Sequence, residues 1–288
     1  MMKLRIEKSA ATGFCSGVKR AIEILEKTAR ERGSVETLGA VVHNQQVLTR
    51  LSDIGVRVAD SIDDIRGDVV VTGAHGVSPQ VMEELKNRFS EVIDSTSCPF
   101  VHRAHSAARR LAEAGFFTII YGDANHPEVR GILGWAEGKG LATLDSNVVT
   151  ALEPLPRRLG ILSQTTQIPE RFTDFVKKVI DSAYRKDSEL RIIDTICHDI
   201  RERQQAALEL ASRVDLMFVI GSPTSANTNH LADLCKTATE TYFIETADDI
   251  QPAWLEGHHH IGVIGGASTA EETINDVVTR LEAIVDEQ

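Results

Sequence analysis

Aromatic residues, basic charge and long apolar runs are all scarce in this chain of 288 residues. Phe, Trp and Tyr make up 5% of it, which leaves few platforms for stacking nucleic-acid bases. The formal net charge is −11, which opposes binding to a phosphate backbone, so we expect no nucleic-acid partner. No apolar run approaches the roughly 18 residues of a membrane span, and the start of the chain has no signal-peptide pattern. These absences predict a cytoplasmic protein with no membrane partner.

Cysteine is scarce too, yet three of the four cysteines share one local context. A helix-like run follows each of these three, which are Cys15, Cys98 and Cys197. A polar residue stands 28 positions beyond each cysteine, at His43, His126 and Ser225 respectively. Internal repetition outweighs chain length as a guide to organisation. The pattern predicts one structural unit used three times, with three thiolates around one group and polar loops around another.

Short apolar runs alternate with longer amphipathic runs, which predicts an α/β fold with parallel sheets. The predicted strands include residues 68–72, 117–121, 159–162, 215–220 and 261–264. The predicted helices include residues 18–30, 101–114, 201–213 and 271–286. We expect three α/β domains, formed by residues 15–97, by residues 98–193, and by residues 194–288 plus 1–14.

Six polar loops follow predicted strands, two in each unit. Parallel sheets bind ligands at the carboxyl ends of their strands, and neutral donors beside helix amino termini suit a phosphate or diphosphate. The candidate ligand-binding residues in these loops are His43, His75, His126, Thr165, Ser225, Asn227 and Ser268. For any one of them, a structural hydrogen bond or a helix cap is the ordinary alternative. Glu128 either caps a helix or donates a proton. Thr166 either caps a helix, or contacts the ligand or relays a proton.

The spacing of the three related cysteines does not resemble the close cysteine pairs of structural zinc sites. Three thiolates hold a four-iron cluster with one iron open to another ligand, whereas four cysteines normally close it. The helix start beside each cysteine favours the thiolate. The alternative is that all three are buried apolar thiols. Cys235 lies inside a predicted amphipathic helix, where we expect a core thiol.

Nine short motifs occur in one order along almost the whole chain. They are Gly13-Phe14-Cys15, Val42-His43-Asn44, Ala74-His75-Gly76, Cys98-Pro99, His126-Pro127-Glu128, Gln164-Thr165-Thr166, Asp194-Thr195-Ile196-Cys197, Ser225-Ala226-Asn227 and Gly266-Ala267-Ser268. Together they resemble the 4-hydroxy-3-methylbut-2-enyl diphosphate reductase family, the terminal enzymes of the non-mevalonate isoprenoid pathway.

The resemblance implies a trefoil of three similar α/β domains with small parallel sheets around a central iron–sulfur cluster. The cluster would be of the 4Fe-4S type, held by Cys15, Cys98 and Cys197. The loop residues named above would surround the substrate, mostly at its diphosphate, while Glu128 would supply a proton with Thr166 close by.

The reaction implied by the resemblance is the reductive dehydroxylation of (E)-4-hydroxy-3-methylbut-2-enyl diphosphate to isopentenyl and dimethylallyl diphosphates. No Gly-x-Gly-x-x-Gly fingerprint follows a predicted strand, so we expect electrons from a small protein of the ferredoxin or flavodoxin type. Two alternatives remain open. One is a non-catalytic iron–sulfur sensor of an anionic metabolite, and the other is a zinc protein with the same three thiolates.

The chain departs from the family pattern at several positions. Ser95-Thr96-Ser97 replaces the usual Asp-Ala-Thr before Cys98, and Ala226 replaces the middle Ser of Ser-Ser-Asn. Other departures are Ile132 for Thr, Ala270 for Pro, and His198-Asp199-Ile200 for Tyr-Ala-Thr. We expect them to alter diphosphate affinity and the cluster's surroundings, because one lost neutral hydrogen bond is worth about 0.5–1.5 kcal/mol.

Overall fold

The computed structural model describes residues 4–42, 44–94, 96–183 and 187–286, and all structural statements concern these residues. The strands are β1 (Arg5–Lys8), β2 (Val35–Leu38), β3 (Val56–Ala59), β4 (Val69–Thr72), β5 (Glu91–Ile93), β6 (Phe117–Tyr121), β7 (Gly140–Thr143), β8 (Arg158–Ser163), β9 (Glu189–Ile193), β10 (Leu216–Ile220), β11 (Glu240–Ile244) and β12 (His260–Gly265). The helices are α1 (Ser16–Arg32), α2 (Gln45–Asp53), α3 (Pro79–Arg88), α4 (Pro99–Glu113), α5 (Pro127–Trp135), α6 (Ser146–Thr150), α7 (Pro169–Ala183), α8 (His198–Ala211), α9 (Ala226–Lys236) and α10 (Glu271–Asp286).

These strands form three sheets of four, and every neighbouring pair of strands is parallel. The strand orders are β3-β2-β4-β5, β7-β6-β8-β9 and β1-β12-β10-β11. The predicted α/β class with small parallel sheets is confirmed. The strands of each sheet come from one of the three predicted domain ranges, while the domain boundaries themselves stay a prediction.

Contacts divide the chain into two compact units. The first unit comprises Met1–Lys19, Val42–Thr49 and His198–Gln288, and it contains the sheet that begins with β1. The second unit comprises Arg20–Val41 and Arg50–Cys197, and it contains the other two sheets. The sheet of the first unit draws on distant parts of the chain, because Ile6 of β1 lies opposite Ile261 of β12.

The packing of strand β10 explains why the sequences of the inner strands are unbroken apolar runs. Its alternate residues Leu216 and Phe218 pack into one buried cluster with α10. Met217 and Val219 pack into another cluster with residues of α8 and α9. Because successive side chains of a strand point to opposite faces, a strand covered on both faces must be apolar throughout.

Three helices begin two or three residues earlier than the sequence predicts. Apolar periodicity places their starts at residues 18, 101 and 201, whereas the helices begin at Ser16, Pro99 and His198. The first turns carry polar residues or proline, which give no apolar signal but suit a helix start. Each helix therefore begins immediately after one of the three related cysteines. None of the described helices is both long and apolar enough to cross a membrane.

Candidate functional site

The six polar loops follow the two inner strands of each sheet. In the second unit, loops carrying His75, His126 and Thr165 follow β4, β6 and β8. In the first unit, loops carrying Ser225 and Ser268 follow β10 and β12. His43, predicted in the loop after β2, lies outside the described residues. The chain leaves β6 and β8 toward opposite edges of their sheet, and such a switch point is where open parallel sheets bind ligands.

The three related cysteines follow the edge strands β1, β5 and β9, and one hydrogen bond recurs at all three. Each cysteine N–H donates to a carbonyl in the loop after the neighbouring inner strand: Cys15 to Ala267 (3.0 Å), Cys98 to Ala74 (3.0 Å) and Cys197 to Thr165 (2.9 Å). The bond ties each thiol to a loop that carries a predicted ligand-binding residue. The repeated sequence context therefore corresponds to a repeated backbone arrangement.

The altered residues before Cys98 preserve this arrangement. The Thr96 hydroxyl donates to the carbonyl of Thr72, where β4 ends. Thr195, which also lies two residues before a cysteine, donates to the carbonyl of Ser163 in the same way at the end of β8. Ser95 lies outside the described residues, and Asp94 accepts a hydrogen bond from the Ser97 hydroxyl at 2.7 Å.

None of the four cysteines forms a disulfide bond. Cys235 is buried inside α9, where burial raises its pKa to about 12, as expected of a core thiol. Burial also raises the pKa of Cys15, against the lowering by the N–H of Val18 and the charge of Arg203. Burial thus opposes the expected stabilisation of a thiolate at this helix start.

The donor chemistry of the three related cysteines fits an iron–sulfur cluster, which takes thiolate ligands. Among the described residues, no three His, Cys, Asp or Glu side chains are arranged to hold one metal ion. A zinc ion needs each sulfur at about 2.3 Å, whereas a four-iron cluster is bulkier and takes its thiolates on separate irons. The three cysteines share a backbone tether, and thiolates are the ligands that an iron–sulfur cluster takes.

Glu128 is a buried acid whose carboxylate accepts two hydrogen bonds, both from Thr165. It lies in the first turn of α5, where its own N–H donates to Nδ1 of His126 at 3.2 Å. The N–H and hydroxyl of Thr165 donate to its two carboxylate oxygens at 2.7 and 2.9 Å. Burial raises the pKa of Glu128 to about 7, while the two Thr165 bonds act in the opposite direction. The carboxyl is therefore poised to give up a proton near neutral pH.

His126, which accepts a hydrogen bond from the N–H of this acid, contacts a second histidine of the same unit. The rings of His75 and His126 meet edge to face, with their centroids 5.3 Å apart. Because Nδ1 of His126 accepts a hydrogen bond, a neutral ring carries its proton on Nε2, which can donate to an anion. The His75 loop turns through Gly76 at φ +65°, where a Cβ would lie 2.6 Å from the ring of His105.

The first unit contributes polar groups from two adjacent loops. Ser225 caps α9 by accepting from the N–H of Thr228 at 3.4 Å. Both side-chain polar atoms of Asn227, Nδ2 and Oδ1, are buried without a hydrogen-bond partner among the described residues. Buried polar groups are nearly always satisfied, so such an amide indicates a missing polar ligand or water. The amide of Asn44 donates to the carbonyl of Ser268 at 3.0 Å, which holds the Ser268 loop.

The structure thus distributes the predicted site residues over both units. The second unit holds Cys98, Cys197, His75, His126, Glu128, Thr165 and Thr166. The first unit holds Cys15, Ser225, Asn227 and Ser268. Ile132, one of the departures, is fully buried in the apolar cluster between α4 and α5, so it acts as a core residue.

Two residues of α8 secure the turn around Cys15, and their role was not anticipated. Asp199 accepts from the N–H and the hydroxyl of Ser16 at 3.0 and 2.5 Å. Arg203 donates to the carbonyls of Gly13 and Gly265, both at 2.7 Å. The helical spacing of α8 contains the signal, because Arg203 falls on the same buried stripe as Ile200 and Ala207.

Comparison with known proteins agrees with these features. A curated relative from Dehalococcoides mccartyi (strain CBDB1), named 4-hydroxy-3-methylbut-2-enyl diphosphate reductase, is 60% identical over 281 residues, covering 98% of this chain and 99% of its own. A relative of the same name from Geobacter metallireducens is 40% identical and covers 98% of both chains.

Two solved structures are similar as well. The first, described as (E)-4-hydroxy-3-methyl-but-2-enyl diphosphate reductase, the terminal enzyme of the non-mevalonate pathway, is 36% identical with a TM-score of 0.69 and covers 97% of this chain and 99% of its own. The Plasmodium falciparum reductase structure is 26% identical with a TM-score of 0.89, covering 96% of this chain and 87% of its own. The profile of the LytB protein family matches residues 6–282, and the chain therefore belongs to the LytB protein family.

Proposed function

We propose that the chain reduces (E)-4-hydroxy-3-methylbut-2-enyl diphosphate to isopentenyl and dimethylallyl diphosphates. Family membership and the names of full-length relatives support this oxidoreductase activity in isoprenoid biosynthesis. Replacing the allylic hydroxyl by hydrogen consumes two electrons and two protons and releases water. The residues of the chain must therefore bind a diphosphate, deliver protons and admit electrons.

The family is one of iron–sulfur proteins, and we assign a 4Fe-4S cluster to Cys15, Cys98 and Cys197. The N–H hydrogen bond that recurs at all three cysteines supports that assignment. When bound, such a cluster supplies single-electron transfer and a Lewis-acidic iron not occupied by cysteine. The electrons would come from a small donor of the ferredoxin or flavodoxin type, and a cytoplasmic location stays a prediction from the sequence.

Glu128 is the observation that carries the catalytic proposal. A carboxyl with a pKa of about 7 is protonated in a large fraction of molecules at neutral pH, so it can protonate the departing hydroxyl. The N–H and hydroxyl of Thr165 hold both carboxylate oxygens and so orient the acid, while Thr166 stays the candidate for a proton relay. A sensor that only binds an anion needs no such acid, so the enzyme is favoured over the sensor.

Neutral donors at the strand ends would bind the diphosphate. Imidazole N–H groups of His75 and His126, and His43 by resemblance, would donate to phosphate oxygens. Ser225, Asn227 and Ser268 would complete the set, and the unsatisfied amide of Asn227 supports a polar ligand there. Donors without formal charge, aided by helix amino termini, suit an anion that must be released again as product.

An anaerobic assay of the iron-reconstituted protein with substrate and a chemical reductant tests the proposal. We expect a brown protein that forms both five-carbon diphosphates. Glu128→Gln should keep the iron and bind substrate but lose turnover by at least about 100-fold, the usual contribution of general acid catalysis. Glu170 is a matched control, because it also follows a proline in the first turn of a helix but is exposed. Near-normal turnover of Glu128→Gln would remove the acid role, and a brown but inactive wild-type protein would favour the sensor.

A further inference from the structure

Arg203 carries a positive charge that is buried without an ion-pair partner among the described residues. Arg203 is only 5% exposed, and its guanidinium donates two hydrogen bonds, to the neutral carbonyls of Gly13 and Gly265. The remaining nitrogen, Nε, is buried with no hydrogen-bond partner in the described part of the chain. Removing a cation from water is costly unless an anion compensates it.

The two carboxylates whose charge acts on Arg203, Asp199 and Glu271, already have other partners. Asp199 accepts two hydrogen bonds from Ser16. Glu271 pairs with Lys8 at 2.5 Å and is half exposed. Both attract Arg203 electrostatically, but neither lies within ion-pair distance of it. The described protein groups therefore leave part of this buried charge uncompensated.

The bonds that Arg203 makes place its charge beside the Cys15 turn. Gly13 lies two residues before Cys15, and Gly265 ends β12, whose following loop accepts the N–H of Cys15. Arg203 on α8 thus holds both sides of the turn that carries Cys15, which places its charge close to that turn. A cluster with thiolate ligands is anionic, and its binding at Cys15 would bring negative charge close to the guanidinium.

We propose that Arg203 is the buried counter-charge of the iron–sulfur cluster and that it raises the cluster's reduction potential. This inference rests on the proposed function, because it needs a cluster at Cys15. Reduction adds one negative charge to the cluster, and a fixed cation nearby stabilises the reduced form more than the oxidised form. The hydrogen bond from Arg203 to the Gly13 carbonyl would also fix the turn that carries Cys15, so Arg203 is a positioning residue as well.

A redox titration followed by electron paramagnetic resonance tests the charge directly. In Arg203→Gln, which removes the charge, we expect the ratio of reduced to oxidised cluster at the wild-type midpoint to fall about tenfold, equivalent to 59 mV for one electron. Arg203→Lys should retain most of the wild-type potential. Arg213→Gln serves as the control, because Arg213 pairs with Glu7 on the surface, and it should leave the midpoint unchanged.

A second variant keeps the inference falsifiable if Arg203→Gln fails to retain its cluster. Asp199→Asn removes a nearby negative charge but keeps an acceptor for Ser16, so its midpoint should shift to more positive values. An unchanged midpoint in Arg203→Gln with full iron content would overturn the inference, as would an unchanged or more negative midpoint in Asp199→Asn. A wild-type protein that binds no iron would instead refute the proposed function on which the inference rests.

Discussion

Replacing Thr165 by valine should shift the alkaline limb of the pH profile of kcat/KM to higher pH. Glu128 must be protonated to act as an acid, so kcat/KM should fall as the pH rises through its pKa of about 7. The Thr165 hydroxyl donates to the ionised carboxylate at 2.9 Å and so favours ionisation. Valine keeps the shape of threonine and removes that donor, which leaves the carboxyl more readily protonated.

The size of the shift follows from the strength of the lost bond. A hydrogen bond to a charged group is worth about 1.5–3 kcal/mol, and one pKa unit corresponds to 1.36 kcal/mol. The limb should therefore shift to higher pH by about one to two units. The backbone N–H of residue 165 still donates to the other carboxylate oxygen in the variant, so only the hydroxyl's contribution is lost. The fold should persist, because the backbone of residue 165 also receives the Cys197 bond in the variant.

The assay is anaerobic kcat/KM measured from pH 6 to pH 10 with a chemical reductant, at matched iron content. Thr165→Ser keeps the hydroxyl and should leave the limb in place, which separates the hydrogen bond from the lost methyl group. In Glu128→Gln the limb should vanish from any residual activity. A limb that stays at the wild-type position in Thr165→Val would refute the assignment of that limb to Glu128 or of the bond to Thr165.

Three further results are expected. Cys98→Ala should lose iron and the brown absorbance, whereas Cys235→Ala, a change in the core thiol, should keep both, as measured by iron analysis of the reconstituted proteins. Ala226→Ser would restore a hydroxyl beside the Asn227 amide, and KM for the diphosphate should fall a few-fold to tenfold in steady-state assays. Glu36→Gln should destabilise the protein by about 1–3 kcal/mol at neutral pH in urea titrations. Although burial acts to raise its pKa, bonds from Gly67, Arg66 and Arg57 hold the pKa of Glu36 below 4.5. Its contribution is therefore present above pH 4.5, and the two proteins should converge as the pH falls below that value.

The fold class could be predicted because its signal is local. Strands such as β10 are apolar on both faces, and amphipathic helices separate them, so alternation alone indicates parallel sheets. The cysteine repeat was visible because each helix begins directly after a cysteine. Cys235 could be predicted as a core thiol from helical spacing, and it is fully buried. The helix starts were placed too late because a first turn such as that at Pro99 has no apolar periodicity.

The hydrogen-bond partners within the site could not be predicted, because they depend on tertiary geometry. Thr165 lies 37 residues after Glu128, and nothing in either local sequence indicates that one holds the other. Arg203 is separated from Gly13 by 190 residues, although its place on a buried helical stripe was a usable signal. The roles assigned to the loop residues, including His43, stay predictions that the proposed variants test.

The pairing of β1 with β12 has a consequence for the order of events during synthesis. Strand β1 leaves the ribosome first, yet its partner begins at residue 260, so at about 5–20 residues per second β1 waits roughly 10–50 s for it. The N–H of Cys15 cannot reach the carbonyl of Ala267 before then. We therefore expect nascent chains stalled before residue 260 to expose residues 5–15 to protease and to acquire no iron at Cys15. A metal centre that includes Cys15, as proposed above, could therefore form only after β12 has been synthesised.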